Sequence, residues 1–150
     1  MALLAQRLSY EEPRVWKGAV AGAVAGLAAS WVMTRFHVAL SGSGLSGSEN
    51  PQSNKPVDGR ADAASAAHYA LGVTAGAFYG MWRETEHAPG GAAFGAELWT
   101  IADQVGLPMV GLSPQPLKAY PLSTNAQHLA AHIVYGISTA VVYSMVRRVI

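Results

Sequence analysis

The stretch GAVAGAVAGLAASWVMT, from Gly18 to Thr34, decides the fold because seventeen residues follow one another without a charge. Trp16 and Lys17 stand before it and Arg35 directly after it, and such residues mark the two polar interfaces of a bilayer. Since a membrane helix needs about 20 mostly apolar residues, the stretch predicts a transmembrane helix. A signal peptide is the alternative, but Arg35 occupies a region that should be neutral before a cleavage site.

Composition points the same way. The chain has 150 residues, of which 51% are hydrophobic and only 13% are charged, whereas soluble domains carry about 25% charged residues. A soluble, alanine-rich helical bundle is the alternative. The absence of cysteine excludes disulfides, thiol catalysis and cysteine-based metal sites. A net charge of +1 without a Lys/Arg cluster argues against nucleic acid as a partner.

Apolar segments recur along the rest of the chain, which we interpret as one integral membrane domain. The four helices are predicted at about 16–39, 62–82, 90–107 and 126–147, with a short interfacial helix at 1–8 and a flexible Gly/Ser-rich loop at 41–60. Ser123, Thr124 or Asn125 is expected to cap the last helix. The basic residues divide six to four between the two sides, which favours cytoplasmic termini.

The third helix is amphipathic. Glu97, Thr100, Asp103 and Gln104 fall within about 120° of arc at 100° per residue. We expect this helix to span the membrane with its polar stripe facing the protein interior. The alternative is a helix that lies in the plane of the interface.

Small residues recur every four positions in the first two helices. This spacing lets two helix backbones approach closely. The helix-packing residues predicted from it are Gly18, Gly22, Gly26, Gly72, Gly76, Gly80 and Gly136.

The second and fourth helices resemble each other. Ala67–Arg83 and Ala131–Arg147 share Ala, His, Gly, Tyr, Met and Arg at an offset of 64, and a weaker alignment at 68 sets Trp31 on Trp99 and Arg35 on Asp103. The predicted fold is therefore all-α, a four-helix transmembrane bundle of two tandem hairpins related by a pseudo-twofold.

Under this repeat, a cluster of ionisable residues lies in the outer half of the bundle. Arg35, His68, Asp103 and His132 would converge there, with Glu97 about 9 Å deeper along its helix. Such groups normally face a bundle interior or a water-filled cavity. The simplest interpretation is a structural polar core with an Arg35–Asp103 salt bridge. The remaining histidines, His37, His87 and His128, are interpreted as solvated.

Two stretches carry a family resemblance. GLSPQPLKAYPLSTNAQHLAAHIVYG, with its Pro-x-x-Gly-Leu-Ser-Pro run at Pro108–Pro114, and AHYALGVTAGAFYG around His68 resemble the YagU-like inner-membrane family. The resemblance covers about three quarters of the chain. It implies a bacterial inner-membrane protein and supplies no reaction. The polar loop at 41–60 and the shorter carboxyl end depart from the family pattern.

Three function classes follow. Walker, G-x-S-x-G and H-E-x-x-H motifs are absent, so we expect no enzyme but a membrane component that contacts the bilayer, other subunits or a second copy. One alternative is a proton or ion conduit through Glu97 and Asp103. The other is a b-type haem or chlorophyll-type pigment held by His68 and His132, with Gly72 and Gly136 giving it room. No cofactor is predicted otherwise, and no metal apart from such a haem.

Overall fold

A computed structural model describes residues 14–43, 59–85, 88–109 and 116–150. Four main helices run over Val15–Gly42 (α1), Gly59–Arg83 (α2), Gly91–Ile101 (α3) and Leu122–Arg147 (α4). No strand occurs among these residues, so the predicted all-α class is confirmed for them. The predicted helix at 1–8 and almost all of the predicted loop at 41–60 lie outside the described residues.

The third helix does not end where α3 ends. Ala102–Gly106 continues it as a π-helix, followed by one helical turn at Leu107–Met109. A separate short helix covers Pro116–Ala119. The π-helical stretch, named the π segment below, has more residues per turn than an α-helix. It therefore changes which side chains face the bundle relative to the constant angular step assumed for the sequence.

The last helix begins earlier than predicted. It starts at Leu122 after Pro121, which is four residues before the expected position, and it has no side-chain cap. The expectation of a capping side chain is wrong. Proline fixes a backbone angle suited to a helix start, and the Asn125 amide nitrogen instead donates to the carbonyl oxygens of Tyr120 and Pro121, at 3.0 and 3.2 Å.

The first hairpin is held by glycines that meet backbone to backbone. A Cβ atom on Gly18, Gly22 or Gly26 would clash with the carbonyl oxygen of its opposite number on α2. Those opposite numbers are, in the same order, Gly80, Gly76 and Gly72. Any larger residue would force the two helices apart, so the six predicted glycines set the distance between α1 and α2.

The second hairpin uses the same device over a shorter length. A Cβ on Gly136 of α4 would clash with the backbone of Gly91 and Gly95, and a Cβ on Gly95 would clash with the carbonyl oxygen of His132. Gly136 is thus confirmed as a packing residue. Its partners on α3, Gly91 and Gly95, were not among the predicted packing residues.

The two hairpins join through α1 and α4. These helices pack along each other, and Ala21, Ala25 and Ala29 of α1 are fully buried, each one position before a small residue (Gly22, Gly26 or Ser30) that faces α2. In contrast, α2 reaches α3 and α4 through long side chains: the Tyr79 ring lies 4.7 Å from that of Phe94 and 6.0 Å from that of Tyr143. Small residues and tyrosines therefore form the interior.

Large apolar side chains cover the outside. Val24, Leu27 and Trp31 of α1 and Val141 and Met145 of α4 are about half-exposed or more. Two stretches, Val15–Leu40 and Leu122–Arg147, are long and apolar enough to cross a membrane. This distribution, with small residues inside and large apolar residues outside, suits a lipid surface better than water.

Candidate functional site

The carboxyl end of α1 and the amino-terminal halves of α2 and α4 bring histidines together at one end of the bundle. The His37 and His128 rings are 6.2 Å apart and perpendicular. His37 is also near enough to His68 and His132 for their charges to interact with its own. We refer to these four histidines, together with Asp103, as the histidine end.

Asp103 and His132 form the closest charged contact of this end. The Nε2 atom of His132 lies 3.8 Å from Oδ1 of Asp103. The two side chains keep only 14% and 17% of their surface exposed, respectively. The other ring nitrogen of His132, Nδ1, is 3.0 Å from the carbonyl oxygen of His128 one turn earlier. Because a carbonyl oxygen only accepts, Nδ1 carries a proton in this arrangement.

The π segment positions Asp103 for this contact. Asp103 and Gln104 are half-buried, whereas Glu97 and Thr100, one to two turns earlier, are exposed. Gln104 also accepts, through Oε1, a hydrogen bond of 3.3 Å from the backbone N–H of Leu117. The predicted continuous polar stripe is therefore wrong: Glu97 and Thr100 lie on the exposed side of α3 before the π segment, whereas Asp103 and Gln104 lie within its wider turn and are half-buried.

Three polar nitrogens of the described bundle are buried at this side without a hydrogen-bond partner. They are Nε2 of His68, Nε1 of Trp99 and Nε2 of Gln104. Burying a polar group without a partner costs about 1–3 kcal/mol. This part of the bundle therefore holds more buried polar nitrogens without a hydrogen-bond partner than its opposite end.

The predicted five-residue polar cluster is reproduced in part. Asp103 meets His132, and His68 lies at the same end. Arg35 instead extends over the Trp31 ring, 5.2 Å from its centroid, on the exposed side of α1. Glu97 lies on the exposed side of α3, so a pathway through Glu97 and Asp103 does not follow from this geometry. Within the described chain, the charged partner of Asp103 is His132 rather than Arg35.

Two members of the histidine end were missed. His37 and His128 were interpreted as solvated, yet both are half-buried against each other. A signal was present, since His128 and His132 are four residues apart and must share one helix face. His87, the third histidine interpreted as solvated, lies outside the described residues.

The opposite end, here the closed end, joins the last residues of α2 and α4. The Glu84 carboxylate accepts hydrogen bonds from Nε and Nη2 of Arg147, at 2.6 and 3.0 Å, and from the Tyr143 hydroxyl at 2.7 Å. Hydrogen bonding from the Arg147 guanidinium, helped by Tyr143, lowers the pKa of the Glu84 carboxyl, against burial, which acts to raise it. The Lys17 ammonium donates nearby to the Ile150 backbone.

His132, one of the two histidines predicted to hold haem, is not oriented as an axial ligand in this arrangement. Iron would be ligated by a ring nitrogen, and Nε2 of His132 faces Asp103 while Nδ1 bonds to a backbone carbonyl. The space predicted beside Gly72 is taken by Ser30 and by the Tyr135 hydroxyl, and that beside Gly136 by α3. Across the described ranges, no three His, Asp or Glu residues form a group that could hold a metal ion.

Comparisons with known proteins add no identity. No family model matches the chain, and no curated protein or solved structure shows significant similarity to it. The resemblance to the YagU-like family therefore stays a prediction, and function has to be argued from the geometry itself.

Proposed function

We propose that the chain is a polytopic membrane protein that crosses the bilayer with four helices and serves as a non-enzymatic component of a membrane complex. The observation that carries the proposal is the reversed distribution of side-chain size. Gly72, Gly76 and Ala25 are buried, while Leu71 and Phe78 point outward from α2. In water this arrangement would leave large apolar surfaces uncovered.

Helix lengths support four crossings. The 25 residues of α2 extend about 38 Å, and the 19 residues of 91–109 extend about 28 Å at the rise of an α-helix. A bilayer core is about 30 Å thick. The two segments that are not among the candidate spans, α2 and 91–109, are therefore also long enough to cross, with modest tilt for α2.

Packing supports the tandem repeat, with a revised register. Gly72 and Gly136 are equivalent at the offset of 64, and each lies against the partner helix of its own hairpin. Gly72 is faced by Gly26 on the first helix, and Gly136 is faced by Gly91 on the third, so the first helices of the two hairpins match at an offset of 65. The sequence alignment at 68 is thus displaced by three residues.

The two hairpins do not pack against each other with the symmetry that the repeat would allow. Backbone contact joins α1 to α4, whereas the equivalent pair, α2 and α3, meets through the Tyr79 and Phe94 rings. A bundle with an exact twofold would make these two interfaces alike. We therefore interpret the chain as two related hairpins docked asymmetrically.

The distribution of basic residues supports an orientation. Lys17, Arg83, Arg147 and Arg148 lie at the closed end, whereas Arg35 lies toward the histidine end. Since cytoplasmic segments carry the excess of Lys and Arg, we assign the closed end and both termini to the cytoplasm. Placement in a bacterial inner membrane rests on the YagU-like resemblance.

An outward carboxylate supports membership of a complex. Ala93, Glu97 and Thr100 are exposed on one side of α3, and their spacing of four and three places them on one stripe. A carboxylate facing hydrocarbon is costly. We assign this stripe to a partner helix that offers Glu97 a hydrogen-bond donor, from another subunit or a second copy.

Topology can be tested cleanly because the chain contains no cysteine. Ser43→Cys reports on the histidine end and Thr85→Cys on the closed end; both native side chains are exposed. A membrane-impermeant maleimide added to intact cells should label the first and should label the second only after permeabilisation. Equal labelling of both positions in intact cells would refute the orientation.

The partner stripe is tested by molecular mass in mild detergent. We expect the wild-type protein to run as a complex that Glu97→Leu dissociates. Thr74→Leu, which alters an exposed polar residue of α2, should leave the complex intact. A wild-type protein that runs as a monomer and co-purifies with nothing would sink the proposal.

A further inference from the structure

The two nitrogens of the His132 ring make different contacts. Nδ1 donates its proton to the carbonyl oxygen of His128 at 3.0 Å. Nε2 lies 3.8 Å from Asp103. It presents either a lone pair, when Nδ1 carries the only ring proton, or an N–H, when a second proton is bound to the ring. The backbone hydrogen bond fixes which nitrogen remains available.

The proton on Nε2 decides whether this contact attracts or repels. Without it, a lone pair of His132 faces a carboxylate oxygen of Asp103, and no hydrogen stands between them. When one proton from the aqueous phase binds to Nε2, an imidazolium faces a carboxylate, and the pair changes from a charge of −1 to neutrality. With both side chains mostly buried, salt screens this attraction only weakly.

The surroundings limit the number of protons at this end. On α4 itself lies His128, α1 contributes His37 and α2 contributes His68, and the His37 ring interacts electrostatically with the other histidines. Each of these would become positive on protonation and would oppose the next. Asp103 has the opposite sign, so a proton on Nε2 of His132 faces a carboxylate oxygen rather than another cation.

Asp103 also lies in the part of the third helix that is beyond the glycine contacts with α4, where a single contact can affect the position of the π segment. The glycine contacts between α3 and α4 involve Gly91 and Gly95, near the start of α3. The π segment, one to three turns further along, reaches α4 through Asp103 and His132. π-helical stretches often occur at functional sites.

From these observations we infer that His132 and Asp103 form a proton-binding site that fastens the π segment to α4 when one proton is bound and releases it when that proton leaves. Histidine is the side chain whose charge changes near neutral pH. The inference does not rest on the proposed function, since the pair is enclosed by the chain itself whether or not α3 crosses a bilayer.

Pulsed electron paramagnetic resonance on the full chain tests this inference. Nitroxides are attached at Val105→Cys in the π segment and Met145→Cys on α4, both at exposed positions. We expect one narrow distance distribution at about pH 5 and a broader one at about pH 8. An identical distribution at both pH values in the wild-type background would overturn the site.

Variants identify the pair responsible. Asp103→Asn and His132→Gln should each abolish the difference between the two pH values. Glu97→Gln removes an exposed carboxylate from the same helix and should retain the full pH response. A pH response that persists in Asp103→Asn would assign it to other histidines and overturn the proposal.

Discussion

The closed end and the histidine end each bury a carboxylate between two helices but give it different partners. Glu84 receives three hydrogen bonds, two of them from an arginine that stays charged at any ordinary pH. Asp103 faces a single imidazole at 3.8 Å, without a hydrogen bond between them. One end of the bundle is thus held by a hydrogen-bonded ion pair, whereas the contact at the other end is longer and, in our proposal, depends on a bound proton.

Filling the glycine stripe should break both ends, because α1 and α2 connect them. A Cβ at Gly76 would clash with the carbonyl oxygen of Gly22, so we expect Gly76→Ala to lower the free energy of unfolding by about 3 kcal/mol. Unfolding in mixed micelles measures this.

The matched control adds the same methyl group elsewhere. Gly42 lies at the end of α1 with nothing near its Cβ position, and Gly42→Ala should change the free energy of unfolding by at most about 1 kcal/mol, in the stabilising direction. Equal losses in both variants would contradict backbone-to-backbone packing.

Breaking the closed end alone should have the next largest effect. Glu84→Gln leaves the Arg147 guanidinium without its carboxylate, and we expect a loss of about 2 kcal/mol, since the pair is mostly but not fully buried. Glu97→Gln, at an exposed carboxylate, should change stability by less than about 0.5 kcal/mol. Thermal unfolding of both variants in one detergent compares them.

Acid should weaken the closed end in a defined direction. The pKa of Glu84 is lowered in the folded protein, so its contribution to stability is complete above the unfolded value of about 4.3. It is lost as the pH falls below that value toward the folded pKa. The stability difference between wild type and Glu84→Gln should therefore shrink below about pH 4, and a constant difference would argue against the network.

The smallest effect is expected where a buried donor has no partner. Trp99→Phe removes such an N–H, and because the relief of the unsatisfied donor is offset by the ring volume that is lost, stability should change by less than about 0.5 kcal/mol. Tyr135→Phe removes a hydroxyl that donates to the Gly72 carbonyl oxygen at 2.6 Å and should cost about 1 kcal/mol. Denaturant titration of the two variants, side by side, separates satisfied from unsatisfied groups.

Much of the fold followed from periodicity. Glycines at every fourth position predicted the close approach of α1 and α2, and the equal depth of His68 and His132 predicted a polar end that includes Asp103. These features depend on the spacing of side chains along a regular helix, which the sequence displays directly.

Other features depend on contacts or backbone changes that spacing does not encode. The π segment is a shift in backbone hydrogen bonding that begins at Ala102, and it places Asp103 and Gln104 differently from a constant 100° step. The pairing of Glu84 with Arg147 joins residues 63 positions apart. Spacing along a single helix does not predict such a pairing.

The glycine stripe gives the first hairpin an unusual mutational asymmetry. At Gly22, Gly26, Gly72 and Gly76, the native residue is already the smallest that exists, so every substitution adds volume between two backbones that already touch. Conventional cores can drift by exchanging a large side chain for a small one across an interface. In the first hairpin no residue on the opposite helix can become smaller to compensate for a larger one. The distance between α1 and α2 is therefore fixed by these glycines.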